Sequence, residues 1–393
     1  MGKINKGYKM RKRRILMMVF LCMGLLYLQI TNSFAYLDES KVPTPTTLYV
    51  GGEGPGNFSC INDALRYARD GDTIFVYSGS YIEYIYVSKS VKLIGEDKNS
   101  TVVGNPWTDA PAVTIKAPGV FLSNFSLRAK NTAVIKIYSD YNIIKNNIIE
   151  GVGSGGEVGI KLIKAYKNLI TDNVIKDIDR NFEYWEGGNG IEVIDSSYNI
   201  ICNNTIIYSE WSGVLCTGKS NFNIIERNIF KNNYRGILLE PEYDNYQDLL
   251  MELKSNEIKN NIFQENTYGI HIKEAGSTRI VSNVFERNQY GVYIKRTLRL
   301  TGINIIAFNN FISNDNQSTF HYNTICHADF WIHNYWDDWL IPVMRPVIGR
   351  WKVFTIPYPD GYGEPVYSPI IKFDPLPAIR PFYIPLLDKE GCT

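Results

Sequence analysis

Two carboxylates, Glu192 and Glu240, stand among aromatic and acidic residues in the middle of this 393-residue chain. Paired acids can hydrolyse a glycosidic bond when one is protonated, the other is ionised and they lie roughly 5 to 9.5 Å apart. Around them fall Tyr184, Trp185 and Glu186, then Glu210 and Trp211, then Glu242, His271 and Tyr293. Acidic groups beside Trp and Tyr suit a sugar polymer, through ring stacking and hydrogen bonds to hydroxyls. Glu192 and Glu240 are therefore the candidates for catalysis. The wider set, with Glu192 and Glu240 included, forms the candidate binding surface.

Such scattered residues can meet only if the chain folds them back at regular intervals, and a repeat does so. The phrase N-x-I-x-x-N-x-[I/F] begins at Asn142, Asn168, Asn199, Asn223, Asn256, Thr278 and Asn304, with Thr278 the one departure at the first position. A second phrase, G-[I/V]-x-[aliphatic or Cys], begins at Gly159, Gly190, Gly213, Gly236, Gly269 and Gly291. The compact unit is about 22 residues, a period that belongs to solenoids. Alternating apolar residues over four or five positions, broken by Asn and Gly, describe short strands, and no 3.6-residue period is sustained. One unit is too narrow to bury its own apolar face, so identical units must stack at about 4.8 Å. Asn suits the corners because it tolerates left-handed backbone and bonds local peptide groups. The expected fold is all-β: a single-stranded parallel β-helix of about ten coils, right-handed because parallel crossovers are.

Counting from each Gly, positions one and three should point inward and positions two and four outward. Glu192, His271 and Tyr293 take position two and Glu240 position four, whereas Cys216 takes an inward slot. Two insertions flank this strand. One, between Asn173 and Gly190, carries Tyr184, Trp185 and Glu186; the other, between Gly236 and Asn256, carries Glu240 and Glu242. Long loops of a solenoid mark its binding face, so they should wall a groove floored by the Gly strand. Glu192 and Glu240 fall two coils apart, near 10 Å by the coil rise.

The remainder of the chain bounds the reading. Lys and Arg number 41 against 40 Asp and Glu, a net charge of +1, so no field favours nucleic acid. A basic stretch from Lys9 to Arg14, an apolar run from Ile15 to Leu28 and Ser33-Phe34-Ala35 make residues 1–35 a signal peptide. That run is shorter than the roughly 20 residues of a spanning helix, and no span is expected in the mature chain. Residues 36–47 read as a linker, 48–320 as the β-helix with a capping helix at 59–70, and 321–393 as an irregular Pro- and Trp-rich cap. His321, Cys326, His327 and His333 fall within thirteen residues but match no compact ligand spacing. Neither a metal nor a cofactor is expected.

The stretch INDALRYARDGDTIFVYSGSY, followed by VSKSVKLIGED, resembles the opening of pectate-lyase-like right-handed β-helices. The Asn and Gly phrases resemble the NosD-type, or CASH, repeats of secreted carbohydrate-binding and sugar-processing proteins. The ending, with NYWDDW, RPVIGR and FDPLPAIRPF, is similar to the tail of archaeal secreted NosD-like proteins. Motifs of catalytic relatives are missing: no Gly-His-Gly of polygalacturonases, no Asp-Pro-His-Asp of mannuronan epimerases and no vWiDH-like element of pectate lyases. The expectation is a secreted or cell-surface protein whose groove binds an extracellular polysaccharide or glycoprotein glycan. The alternatives are a polysaccharide lyase, glycoside hydrolase or epimerase using that groove, and a purely structural surface protein.

Overall fold

The computed structural model describes residues 44–105, 107–153, 157–178, 188–241, 253–296, 302–323, 329–339, 341, 343–357 and 363–384. The signal segment lies outside them, as do Tyr184, Trp185, Glu186, Glu242, Cys326 and His327. Among the described residues no helix is long and apolar enough to cross a membrane.

The chain winds through three sheets of 12, 11 and 12 strands, taking every third strand in sequence except for one consecutive pair at the start of the first sheet and one at the end of the third. The first sheet runs from Thr47–Val50 to Phe330–Ile332, the second from Gly79–Tyr81 to Tyr335–Trp336, and the third from Ile85–Val87 to a terminal hairpin. Every pairing between coils is parallel, so the fold is the expected right-handed parallel β-helix, with eleven rungs in its second sheet. Like residues lie over like. Ile144, Ile170, Ile201, Ile225, Ile258, Ile280 and Ile306 form one fully buried column. On the second sheet Phe230, Phe263, Phe285, Phe311 and Trp336 stack with centroids 4.9, 4.9, 4.8 and 4.3 Å apart. Each such side chain contributes roughly 1.5 to 3 kcal/mol by burial. The Gly of the second phrase makes room for this stack. A Cβ on Gly236 would lie 2.5 Å from the Phe263 ring and from the Gly269 carbonyl.

The Asn residues form ladders along the corners. Asn168 Oδ1 accepts both the backbone N–H and the side-chain Nδ2–H of Asn142, at 2.8 and 2.9 Å, and the pattern passes from coil to coil. A second ladder climbs from Asn147 through Asn173, Asn204, Asn228, Asn261, Asn283 and Asn309 to Asn334. The residue before most rungs adopts left-handed backbone, as at Tyr141, Asn203 and Arg227. An amide ladder always ends with donors to spare, and a carboxylate only accepts. Asp329 ends the first ladder at Asn304, and Asp374 ends the second by receiving both donors of Asn334. Asp337 closes a third, taking Ser313 N–H and the Gln317 amide that contacts Asn314.

The capping helix spans Ile61–Tyr67, shorter than expected, and buries Ile61, Ala64 and Leu65. Its ends are served from outside: Glu83 accepts the amides of Ile61 and Asn62, and Lys89 Nζ bonds the carbonyls of Leu65, Arg66 and Ala68. The C-terminal cap is more regular than its prolines suggested. Arg345–Pro357 and Gly363–Asp374 form an antiparallel hairpin, and Gly349–Trp351 pair with Phe320–Tyr322 of the third sheet. Pro365 and Pro369 occupy the outermost strand, where half of the backbone amides face away from any neighbour and a missing one is tolerated.

Candidate functional site

The outward face of the third sheet carries three columns set by strand register. One holds Lys161, Glu192, Leu215, Leu238, His271, Tyr293 and Thr319. A second includes Lys273, Lys295, His321 and Arg350, with Glu240 one coil before Lys273. The third, just ahead of the Gly positions, holds Asn189, Ser212, Arg235, Tyr268 and Tyr290.

The structure does not bring the candidate catalytic pair together. Lys161 Nζ lies 2.8 Å from Glu192, and Lys273 Nζ lies 2.9 and 3.0 Å from the two oxygens of Glu240. Glu192 leans to the coil before it and Glu240 to the coil after. Two rungs and a two-residue offset along the strand separate their Cα atoms by about 12 Å, beyond the near-10 Å of coil rise alone. The offset was omitted when only coils were counted. Both acids are ion-paired and point apart, an arrangement unlike that of a glycosidase pair.

What the fold does assemble is an arginine held among rings, and Arg235 is a residue that the sequence reading missed. Its guanidinium carbon lies 4.2 Å from the Trp211 ring centroid and 4.4 Å from that of Tyr234. Arg235 Nε–H donates to His271 Nδ1 at 3.2 Å. His271 therefore keeps its own proton on Nε2. Burial first, and then the charges of Arg235, Lys273 and Lys295, push the His271 pKa down to about 2, so the imidazole is neutral. Burial also lowers the Arg235 pKa, yet a guanidinium stays charged. The Tyr268 ring stacks on His271 at 5.1 Å and on Tyr290 at 5.0 Å, and Tyr293 lies 4.9 Å from His271. Tyr293, whose hydroxyl is pushed up to about 12 chiefly by burial, pairs with His321 Nδ1 at 3.0 Å. Trp211 and Glu210 are half-buried at the edge of this cluster.

Four polar side chains here are at least nine-tenths buried yet incompletely bonded. Arg235 Nη1, His271 Nε2, Asn189 Oδ1 and Ser212 Oγ have no hydrogen-bond partner among the described residues. Leaving such a group unsatisfied costs about 1 to 3 kcal/mol. A signal for them exists in the sequence, since the residue before Gly changes from coil to coil where its neighbours repeat. Elsewhere Cys216 is inward as expected, and burial pushes its thiol up to about 12.

Two family descriptions match the chain: "Right handed beta helix region" over residues 98–247 and "Periplasmic copper-binding protein (NosD)" over 244–339. A "Cell surface glycoprotein" of Methanothermus fervidus is 35% identical over 154 residues, which is 39% of this chain. The match spans about a quarter of that relative's length. Among solved structures, the Dettilon tailspike protein covers 73% of this chain and 66% of its own at 13% identity and TM-score 0.47. Pectate lyase Pel9A covers 74% and 78% at 14% identity and TM-score 0.41. At these values the likeness says nothing of activity. Copper, named in the second description, finds no fit among the described residues, where no three His, Cys, Asp or Glu side chains group. His321 lies on the third sheet against Tyr293, while His333 sits at a corner of the first sheet with Nδ1 2.7 Å from the Leu376 carbonyl. The two adjoining matches lie on one continuous solenoid, and the chain is a right-handed β-helix similar to the NosD-like proteins.

Proposed function

We propose that this chain is an extracytoplasmic surface protein that binds an extracellular glycan on the outward face of its third sheet. The observation that carries this reading is the ring cluster of Tyr268, His271, Tyr290 and Tyr293 beside buried, unpartnered hydrogen-bonding atoms. Rings offer faces to the C–H surface of a sugar, and the polar atoms offer direction to its hydroxyls. The signal-like first 35 residues and the name of the archaeal relative support the location. Tyr184, Trp185, Glu186 and Glu242 belong to the proposal on sequence grounds, as residues of the insertions flanking this face. Hydrolysis from Glu192 and Glu240 is the weaker reading because their lysine partners draw them apart.

Retention on a polysaccharide and glycan array tests the reading. The purified chain should be retained by at least one polymer, and Tyr290→Ala should lower that retention about tenfold while leaving the thermal midpoint within a few degrees. Equal retention of the variant would remove the site, and silence across the array would leave a structural surface protein.

A further inference from the structure

We propose that Asn316 and Asn99 carry N-linked glycans, and that the three other acceptor sequences of the chain stay bare. This rests on the extracytoplasmic half of the reading above, because the pattern serves as an acceptor in secreted chains.

Five stretches fit the acceptor pattern N-x-[S/T], beginning at Asn57, Asn99, Asn124, Asn203 and Asn316. An Asn-rich repeat generates such stretches by chance, so the pattern alone selects none of them. The fold supplies the selection. Asn124 and Asn203 stand at the corner between the first and second sheets, with φ of 65° and 54°, in the column that also holds Asn146 and Asn260. Left-handed backbone accounts for Asn there without any sugar. Both are half-buried, and the side chains of neighbouring rungs lie about 4.8 Å above and below, a spacing that crowds a sugar ring. Asn124 Oδ1 is moreover held by Asn146 Nδ2–H at 2.8 Å. Asn57 is half-buried as well. Its Nδ2, the atom that would carry the sugar, donates to the Gly51 carbonyl at 2.6 Å, and a Cβ on Gly54 would lie 2.9 Å from it.

The two remaining residues are exposed. Asn316 opens the strand Asn316–Tyr322 and lies beside Tyr290 of the preceding rung. Pairing to the next strand starts only at Phe320, and the Asn316 side chain has no hydrogen-bond partner among the described residues. Asn is ill suited to a strand, and no contact here asks for one. Asn99 lies in the turn that ends at Thr101, where its Nδ2 donates to Asp97 Oδ1 at 3.0 Å. That bond uses one of the two amide hydrogens, and the second remains for replacement.

The transfer forms a bond from Asn Nδ2 to the anomeric carbon of a lipid-phosphate-linked oligosaccharide and breaks the bond from that carbon to the phosphate oxygen. The lipid phosphate leaves with the electron pair, and the amide loses one proton. Ser318 and Thr101, the third residues of the two acceptors, are buried, and Ser318 Oγ accepts Trp331 Nε1–H at 2.8 Å. Their hydroxyls are part of what the transferring enzyme recognises, so the sugar is added before these coils close. At Asn316 it starts about 4.8 Å, one rung, from Tyr290, and the chain's own glycan then borders the ring cluster.

Glycopeptide mass spectrometry tests this on the full chain, recovered with cell fractionation from the cells that make it naturally. Asn316 and Asn99 should each carry a glycan on most copies, and Asn57, Asn124 and Asn203 should be bare. Asn316→Gln and Asn99→Gln should each lower the intact mass by one glycan, and the double variant should match the bare polypeptide. An exported chain bare at Asn316 or at Asn99 would overturn the assignment of that site. A glycan on Asn57, Asn124 or Asn203 would overturn the selection, because crowding at those positions would then not exclude a sugar. A chain confined to the cytoplasm and bare throughout would remove the location reading, and this proposal with it.

Discussion

Two buried polar columns run along this solenoid, and they obey opposite rules. In the Asn ladder from Asn147 to Asn334 the same residue recurs at every rung, each side chain bonds the next, and Asp374 absorbs the last donors. In the column from Asn189 through Ser212 and Arg235 to Tyr268 the residue changes at every rung, and polar atoms are left over. Both columns are products of one repeat. Repetition satisfies hydrogen bonds because an amide is donor and acceptor at once, so identical neighbours pair without further design. Variation forfeits that pairing, at about 1 to 3 kcal/mol for each buried group left unmatched. The stable column explains the fold, and the costly one marks the place to look for function.

The sharpest way to break the comparison is to put a gap in the ladder. Asn228 is fully buried; it accepts the backbone and side-chain donors of Asn204 and donates to Asn261 and to the Ile201 carbonyl. Asn228→Ala should cost about 3 to 5 kcal/mol, the sum of a few unsatisfied groups, read as a lower urea midpoint. A loss below about 1 kcal/mol would mean that the ladder is ornamental.

Next in size is an effect of acid. The His271 pKa lies at about 2, below its ordinary 6.5, so the unfolded chain takes up a proton that the folded chain refuses. The stability owed to the neutral imidazole is complete above about pH 6.5 and is lost as pH falls from there toward 2, at about 1.4 kcal/mol per unit. Between pH 7 and pH 5 the wild type should lose about 2 kcal/mol more than His271→Phe in paired urea titrations. Parallel losses in the two proteins would place a charged His271 in the folded state.

The smallest effect carries the opposite sign. Ser212 is fully buried with its hydroxyl unpartnered, so Ser212→Ala should leave stability unchanged or raise it by up to about 1 kcal/mol. The same change should weaken glycan retention a few-fold. A stability loss matching that of the ladder variant would erase the distinction between the columns.

Much of this architecture was legible from residue types. The inward Ile and Phe, the Asn corners and the aperiodic insertions each follow from neighbours a few positions away, and the shared outward column of Glu192, His271 and Tyr293 follows from counting after Gly. Arg235 was not legible for a local reason. Strict alternation sends the residue before Gly inward, but the glycine itself faces the interior Phe, where a Cβ on Gly236 would strike Phe263. Two inward positions then follow one another, and Arg235 is turned to the outer face, where it meets His271. The regularity expected of the tail was likewise too low, because prolines that break an inner strand are harmless on an edge.

The repeat by itself determined a parallel stack and which residues line its interior, because periodicity is read from side chains only a few positions apart. Which charges meet was decided by the rungs. Glu240 finds Lys273 33 residues along and Arg235 finds His271 36 along, distances set by the one enlarged coil between their strands and, for Arg235, by a three-residue offset along the strand. A one-residue change of register would part both pairs while leaving the repeat intact. Sequence spacing therefore names the columns, whereas only the stacked coils show which of their members touch.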